Sequence, residues 1–200
     1  MKYLREGGRL FLALLSAAIL NEGVKAEPTN WQIDPEHFSV AFEAEHIGYQ
    51  MQLGFFLEAR GQFRFNSDTG ELFSGRVEVE ADSIFTNNED RDDHLRGRDF
   101  LNSRRHPVVV FETNEFLSNE DWSEGKLHGD LTLLGVTLPI VLDISVNKQD
   151  KYPFGHRKET IGISATTIIK RSQWGMEYAL SNDMVGDSVK LRFEFEAIQQ

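Results

Sequence analysis

The chain contains no cysteine. That excludes disulfides, thiolate metal sites, a cysteine nucleophile and a lipid-modified N-terminal cysteine. Basic charge is also short: 21 Lys and Arg stand against 32 Asp and Glu, a net charge of −11. Phosphate recognition runs mainly on Lys and Arg releasing counterions, so nucleic-acid binding is disfavoured. Docking on an anionic membrane surface is disfavoured for the same reason. No Gly-x-Ser-x-Gly elbow and no phosphate-cradling glycine loop occurs. After residue 26 no stretch is long and apolar enough for a membrane-spanning helix, which takes about 20 residues. Helical periodicity is scarce as well.

What is present begins with a leader. Lys2, Arg5 and Arg9 give a positive start, Leu10 to Leu20 is an apolar run, and Val24-Lys25-Ala26 fits a small-residue cleavage site. Residues 1–26 are therefore expected to be a cleaved signal peptide, and residues 27–200 one exported, soluble domain without a membrane anchor. Cleavage removes four basic and two acidic residues and leaves 17 against 30, a net charge of −13.

The rest alternates with period two, the mark of half-buried strands. Phe38, Val40, Phe42 and Ala44 share one parity. Leu53, Phe55, Leu57, Ala59, Gly61, Phe63 and Phe65 share the parity of the next strand. Val77 and Val79, then Val109 and Phe111, Leu127 to Leu133, Ile140 to Val146, Ile161 to Ile169 and Val189 to Ala197 follow the same rule. About eight alternating strands with short connections predict an all-β antiparallel sandwich or barrel. Long strands favour the barrel, because closure removes exposed edges. Its inward face is expected to carry Phe38, Val40, Phe42, Phe55, Phe63, Phe111, Leu131, Ile163, Ala165 and Phe193. An eight-stranded barrel can fill its interior with such side chains or hold one small ligand, and the pattern leaves the two open.

One charged interruption, Arg91 to Phe111, breaks the strand pattern. Thr86-Asn87-Asn88-Glu89 fits a capping box with Thr86 as N-cap, predicting a short helix over residues 87–96. So polar a helix cannot be a core element. It is expected to lie across a barrel end, with Arg91, His94, Leu95, Asp99, Phe100 and Leu101 forming a cap at the mouth. His94 with Asp92 or Asp99 could also be drawn as acid–base machinery of a small hydrolase or isomerase acting on an amphipathic substrate. Capping and salt bridging with Arg91, Arg96 and Arg98 is the simpler account. The six histidines lack metal-ligand spacing, and on one continuous strand His37 and His46 would face opposite sides, so no metal site is expected.

Several stretches resemble the YceI-like family. They are Arg91-Asp92-x-His94-Leu95-Arg96-x-x-Asp99-Phe100-Leu101 with His106-Pro107-x-x-x-Phe111, and Asp34-Pro35-x-His37-x-x-Val40-x-Phe42 with His46-x-Gly48. Gly125-x-Leu127-x-Gly129-x-Leu131-Thr132-Leu133-x-Gly135-Val136-Thr137-x-Pro139 and Arg171-Ser172-x-Trp174-Gly175 complete the set. Gly97, Leu101 and Trp174 stand where the family commonly has serine, a second aromatic and phenylalanine. The resemblance implies an extended, lipocalin-like barrel in the periplasm, with an apolar channel holding an isoprenoid lipid such as a quinone or polyprenyl chain. It implies binding, transport or storage rather than catalysis, and no cofactor beyond such a lipid. A homodimer is compatible with it. A filled structural or stress-response barrel without ligand is the bland alternative.

Overall fold

The computed structural model describes residues 27–200; the expected leader over 1–26 lies outside the described residues. Alternating sequence becomes ten strands: β1 (Thr29–His46), β2 (Gln50–Phe56), β3 (Ala59–Asn66), β4 (Glu71–Glu80), β5 (Ile84–Phe85), β6 (Val108–Ser118), β7 (Glu124–Leu133), β8 (Val136–Lys151), β9 (Glu159–Lys170) and β10 (Val185–Gln199). The charged interruption becomes one helix, α1 (Glu89–Arg96). Eight strands close an antiparallel barrel in the order β1-β3-β4-β6-β7-β8-β9-β10, with β10 pairing back onto β1. β2 continues the line of β3 along the same edge of β1, and two-residue β5 pairs with β2. The expected eight-stranded barrel with a short helix is the observed architecture. No helix among the described residues is long and apolar enough to cross a membrane.

A bulge in β1 decides which residues face inward. Ile33 pairs with Ala197 and Phe38 with Phe195, so four residues, Asp34 to His37, lie opposite Glu196 alone. Such an insertion bends the strand and shifts its pleat. Before the bulge Trp31 and Ile33 are buried; after it Val40 and Phe42 are. β3 follows the first parity, pairing Phe63 with Trp31, and β2 follows the second, pairing Gly54 with Phe42. The single parity expected from Leu53 to Phe65 is therefore corrected: it reverses at Leu57–Glu58, where β2 ends and β3 begins.

Two glycines make room for aromatic rings. A Cβ on Gly54 would sit 2.3 Å from the Phe42 ring, and one on Gly129 would sit 2.4 Å from both the Phe111 ring and the Glu112 carbonyl oxygen. Each phenylalanine lies flat over a glycine on the neighbouring strand, which lets the wall close without pushing the ring into the interior.

The helix starts later than its capping-box pattern implies. Its N-cap is Asn88, whose side chain accepts from the Arg91 backbone N–H at 2.9 Å. Thr86 is occupied elsewhere: its backbone N–H donates to the Asp92 carboxylate at 2.8 Å, and its hydroxyl donates to the same oxygen. Asp92 is the buried residue of α1, at 4% exposure, and ties the helix to the end of β5.

Candidate functional site

The barrel is hollow. A cavity of about 500 Å³ runs through it, walled almost wholly by Phe, Leu, Ile and Val side chains. That is more than three times the roughly 150 Å³ apolar cavity that suffices to bind benzene, and it falls within the ordinary range of small-molecule sites. Three packed clusters follow one another along it, and β9 touches all three: Ile161 in one, Ala165 and Ile163 in the next, Ile169 in the third. From Ile161 to Ile169 is about 26 Å of strand at the usual rise per residue, so the space is a channel rather than a sphere.

Its two ends differ. One is plugged by aromatic rings: Trp31 stacks on Phe63 with centroids 6.2 Å apart, and Phe65 meets Trp122 edge-on at 5.4 Å. The other end is ringed by polar side chains: Glu45 and His46 of β1, Gln50 and Gln52 of β2, and Arg91 and His94 of α1. Met176, Tyr178 and Met184, from the connection between β9 and β10, complete that ring. A backbone hydrogen bond of 3.1 Å from Ile47 to Met184 ties the β1–β2 turn to this connection. Inside the mouth, His94, Phe100 and Tyr178 form a triad of edge-on rings with centroids 5.1 to 5.3 Å apart.

Arg171 anchors this end. It follows the last inward residues of β9, is 2% exposed, and donates to four backbone carbonyls, those of Gly186, Met176, Tyr178 and Val185. Burial pushes its guanidinium below the ordinary arginine value, with Asp187 opposing from nearby. The adjacent Ser172 fixes Asp187 through its N–H at 2.9 Å and its hydroxyl at 3.0 Å. Trp174 closes the floor beneath, its indole N–H donating to the Leu131 carbonyl at 3.2 Å.

Nine of the ten residues expected on the channel wall are there: Phe38, Val40, Phe42, Phe63, Phe111, Leu131, Ile163, Ala165 and Phe193. Phe55 is a correction. It pairs with Ala41 on the outer face and is 44% exposed, because the pleat of β2 is set by the part of β1 beyond the bulge. Met51, Leu53 and Leu57 share that outer face. Of the cap, Arg91, His94, Leu95, Phe100 and Leu101 border the cavity, whereas Asp99 lies outside it and pairs with His94 at 3.2 Å. Asp92 is turned away from His94 and held by Thr86, so the drawn Asp92–His94 pair is not assembled. Arg171 stands out in the sequence only within the Arg171-Ser172-x-Trp174-Gly175 resemblance, without a role at the site, and nothing there marks Met176 or Tyr178.

The bulge also gathers Asp34, His37 and Glu196, whose ligand-capable atoms lie within 4.8 Å of one another, a geometry able to hold a metal ion. Parity along one continuous strand could not find this group, since the bulge and the last strand create it. The His37 ring already hydrogen-bonds Asp34 at 2.8 Å. That bond holds the imidazole above its ordinary value. Burial pushes the Asp34 carboxyl up, but the bond to His37 and the Glu36 backbone N–H outweigh it and leave it below the usual carboxylate range.

A closed antiparallel barrel around an apolar channel, plugged at one end and capped by polar groups at the other, is lipocalin-like in class. A model of the YceI-like domain matches residues 31–197, and the chain belongs to the YceI-like family. Protein YceI of Escherichia coli O157:H7 is 30% identical over 191 residues, 94% of this chain and 97% of the relative. The Campylobacter jejuni YceI crystal structure superposes with a TM-score of 0.68 at 29% identity, covering 78% of this chain and 90% of that one. A polyisoprenoid binding domain from Saccharophagus degradans, implicated in plant cell wall breakdown, superposes with a TM-score of 0.64 at 12% identity. That match covers 85% of this chain and 98% of the other, and at such identity it speaks for the fold alone.

Proposed function

We propose that this protein binds an isoprenoid lipid, an isoprenoid quinone or a polyprenyl chain, in the barrel channel, and carries or stores it in the periplasm without catalysis. The observation that carries this reading is the channel of about 500 Å³ with its nearly all-hydrocarbon wall. Burying a hydrocarbon chain contributes about 0.8 kcal/mol per methylene, so a long tail is held without any specific polar contact. The polar pair His94 with Asp99, drawn from the sequence as acid and base, is exposed on both sides, at 46% and 52% of the side chain. It lacks the water-excluded setting in which such pairs gain catalytic strength. Family membership and the shared barrel of the Saccharophagus polyisoprenoid binding domain agree with the lipid reading. The export leader read in residues 1–26 supports the compartment.

Purification from the periplasm, organic extraction and mass spectrometry of the extract test the reading directly. A stoichiometric isoprenoid is the expected result, from protein whose mass begins at Glu27. An empty extract from folded protein that has met its native membranes would sink it.

A further inference from the structure

Polar side chains reach the channel wall mainly at the open end, and two of these are arginines, Arg91 and Arg171. In a chain with 32 acidic residues, neither has a carboxylate within ion-pair distance among the described residues. Arg76, the third arginine that borders the cavity, does: it pairs with Glu78 and Glu112. Arg171 is accounted for, since four carbonyls take its donors.

Arg91 is different. Its Nε donates to the Thr86 hydroxyl and its Nη2 to the Thr86 carbonyl, each at 2.7 Å. Thr86 is itself fixed by the buried Asp92 carboxylate. One edge of the guanidinium fork is therefore pinned, while Nη1 has no partner among the described residues. A planar cation held along one edge and unpaired along the other is prepared for an oxygen acceptor, which it can meet with two parallel N–H groups.

We propose that Arg91 anchors the head group of the bound lipid and selects ligands whose polar end presents an oxygen acceptor, a carbonyl or a carboxylate. The hydrocarbon tail runs inward along the channel. This assignment rests on the lipid reading above. It adds a polar selection rule to a site that would otherwise sort ligands by tail alone. Thr86 and Asp92 are positioning residues, holding the fork at the mouth.

The test uses three tetraprenyl probes of equal tail length: a quinone, a carboxylic acid and the unsubstituted hydrocarbon. Each is titrated against the folded domain by competition with a fluorescent lipid. The expected result is a preference of about tenfold or more for an oxygen-headed probe, abolished in Arg91→Met with hydrocarbon affinity unchanged. A quinone preference assigns a carbonyl head, and a preference for the acid alone assigns an anionic one. Hydrocarbon affinity reports an intact channel, so a variant that fails to fold is recognised, and the preference of the wild type is then the deciding quantity. Equal affinity for all three probes in the wild type, or a preference that survives Arg91→Met, overturns the head-group assignment while leaving the lipid site standing. Binding of none of the three overturns the lipid reading itself.

Discussion

Arg171 gathers the two ends of the connection between β9 and β10 onto one buried side chain. Its guanidinium collects the carbonyls of Met176, Tyr178, Val185 and Gly186, and also lies 5.9 Å from the centroid of the Phe100 ring. Arg171→Leu should lower unfolding free energy by about 3 kcal/mol or more, because buried carbonyls lose their donors. Guanidinium denaturation measures this, and Arg171→Lys should recover only part of it, since an ammonium cannot reach four acceptors set in a fork. A second residue-scale expectation concerns His37. Its hydrogen bond to Asp34 raises its folded value above 6.5, so its contribution is complete below 6.5 and lost as pH rises through the folded value. Asp34 is depressed below 3.8, so its share is present above 3.8 and lost as pH falls through the folded value. An NMR titration should place the His37 midpoint above 6.5 in the wild type and move it down in Asp34→Asn.

At the scale of elements, the alternation in β7, β9 and β10 was legible because each of those strands keeps one face inward, whereas β4, β6 and β8 carry an extra residue, at Phe73, Asn114 and Asn147, that shifts the pleat toward one end. Phe55 was not legible. Its own strand alternates cleanly, but its direction is set by a four-residue bulge on β1, a pairing partner that no local pattern reveals. The start of α1 was misplaced for a related reason. Thr86 and Asn88 are both competent caps, and what separates them is Asp92, which draws Thr86 into a bond of its own. The glycine–phenylalanine contacts give a prediction at this scale. In Gly129→Ala the new Cβ would lie 2.4 Å from the Glu112 carbonyl oxygen, so backbone must move. A loss of about 3 kcal/mol is expected from such overpacking, read as a lowered denaturation midpoint with an unchanged slope.

For the molecule as a whole, the inward residues were legible and the hollow was not. The same Phe, Leu and Ile positions would line a channel or fill a core, and only the packing of rings against the wall, as Phe42 over Gly54, decides between them. Ala165 makes the hollow testable. It is buried, on the channel wall, beside empty volume. Ala165→Trp should place its ring in that space with a stability change within about 1 kcal/mol, unlike an insertion into a filled core. Lipid recovered by extraction should fall to background in the same variant.

Barrel closure by β10 on β1 also sets a clock on the nascent chain. The edge of β1 is taken up by residues from Val185 to Gln199, paired with His46 back to Trp31. At ordinary rates of synthesis, roughly 7–28 s pass between the making of residue 46 and residue 185. Throughout that interval β1 has one edge open and the apolar faces of the early strands have no barrel to enclose them. A ribosome-bound chain thus cannot close its barrel through most of its own production, and over that time its open edge and apolar faces are available to a holding chaperone and equally to aggregation. Moving the β10 sequence ahead of β1 by circular permutation would cover that edge of β1 early, but it would leave the far edge of β10 open until β9 is made, since a closed sheet always waits for its last strand.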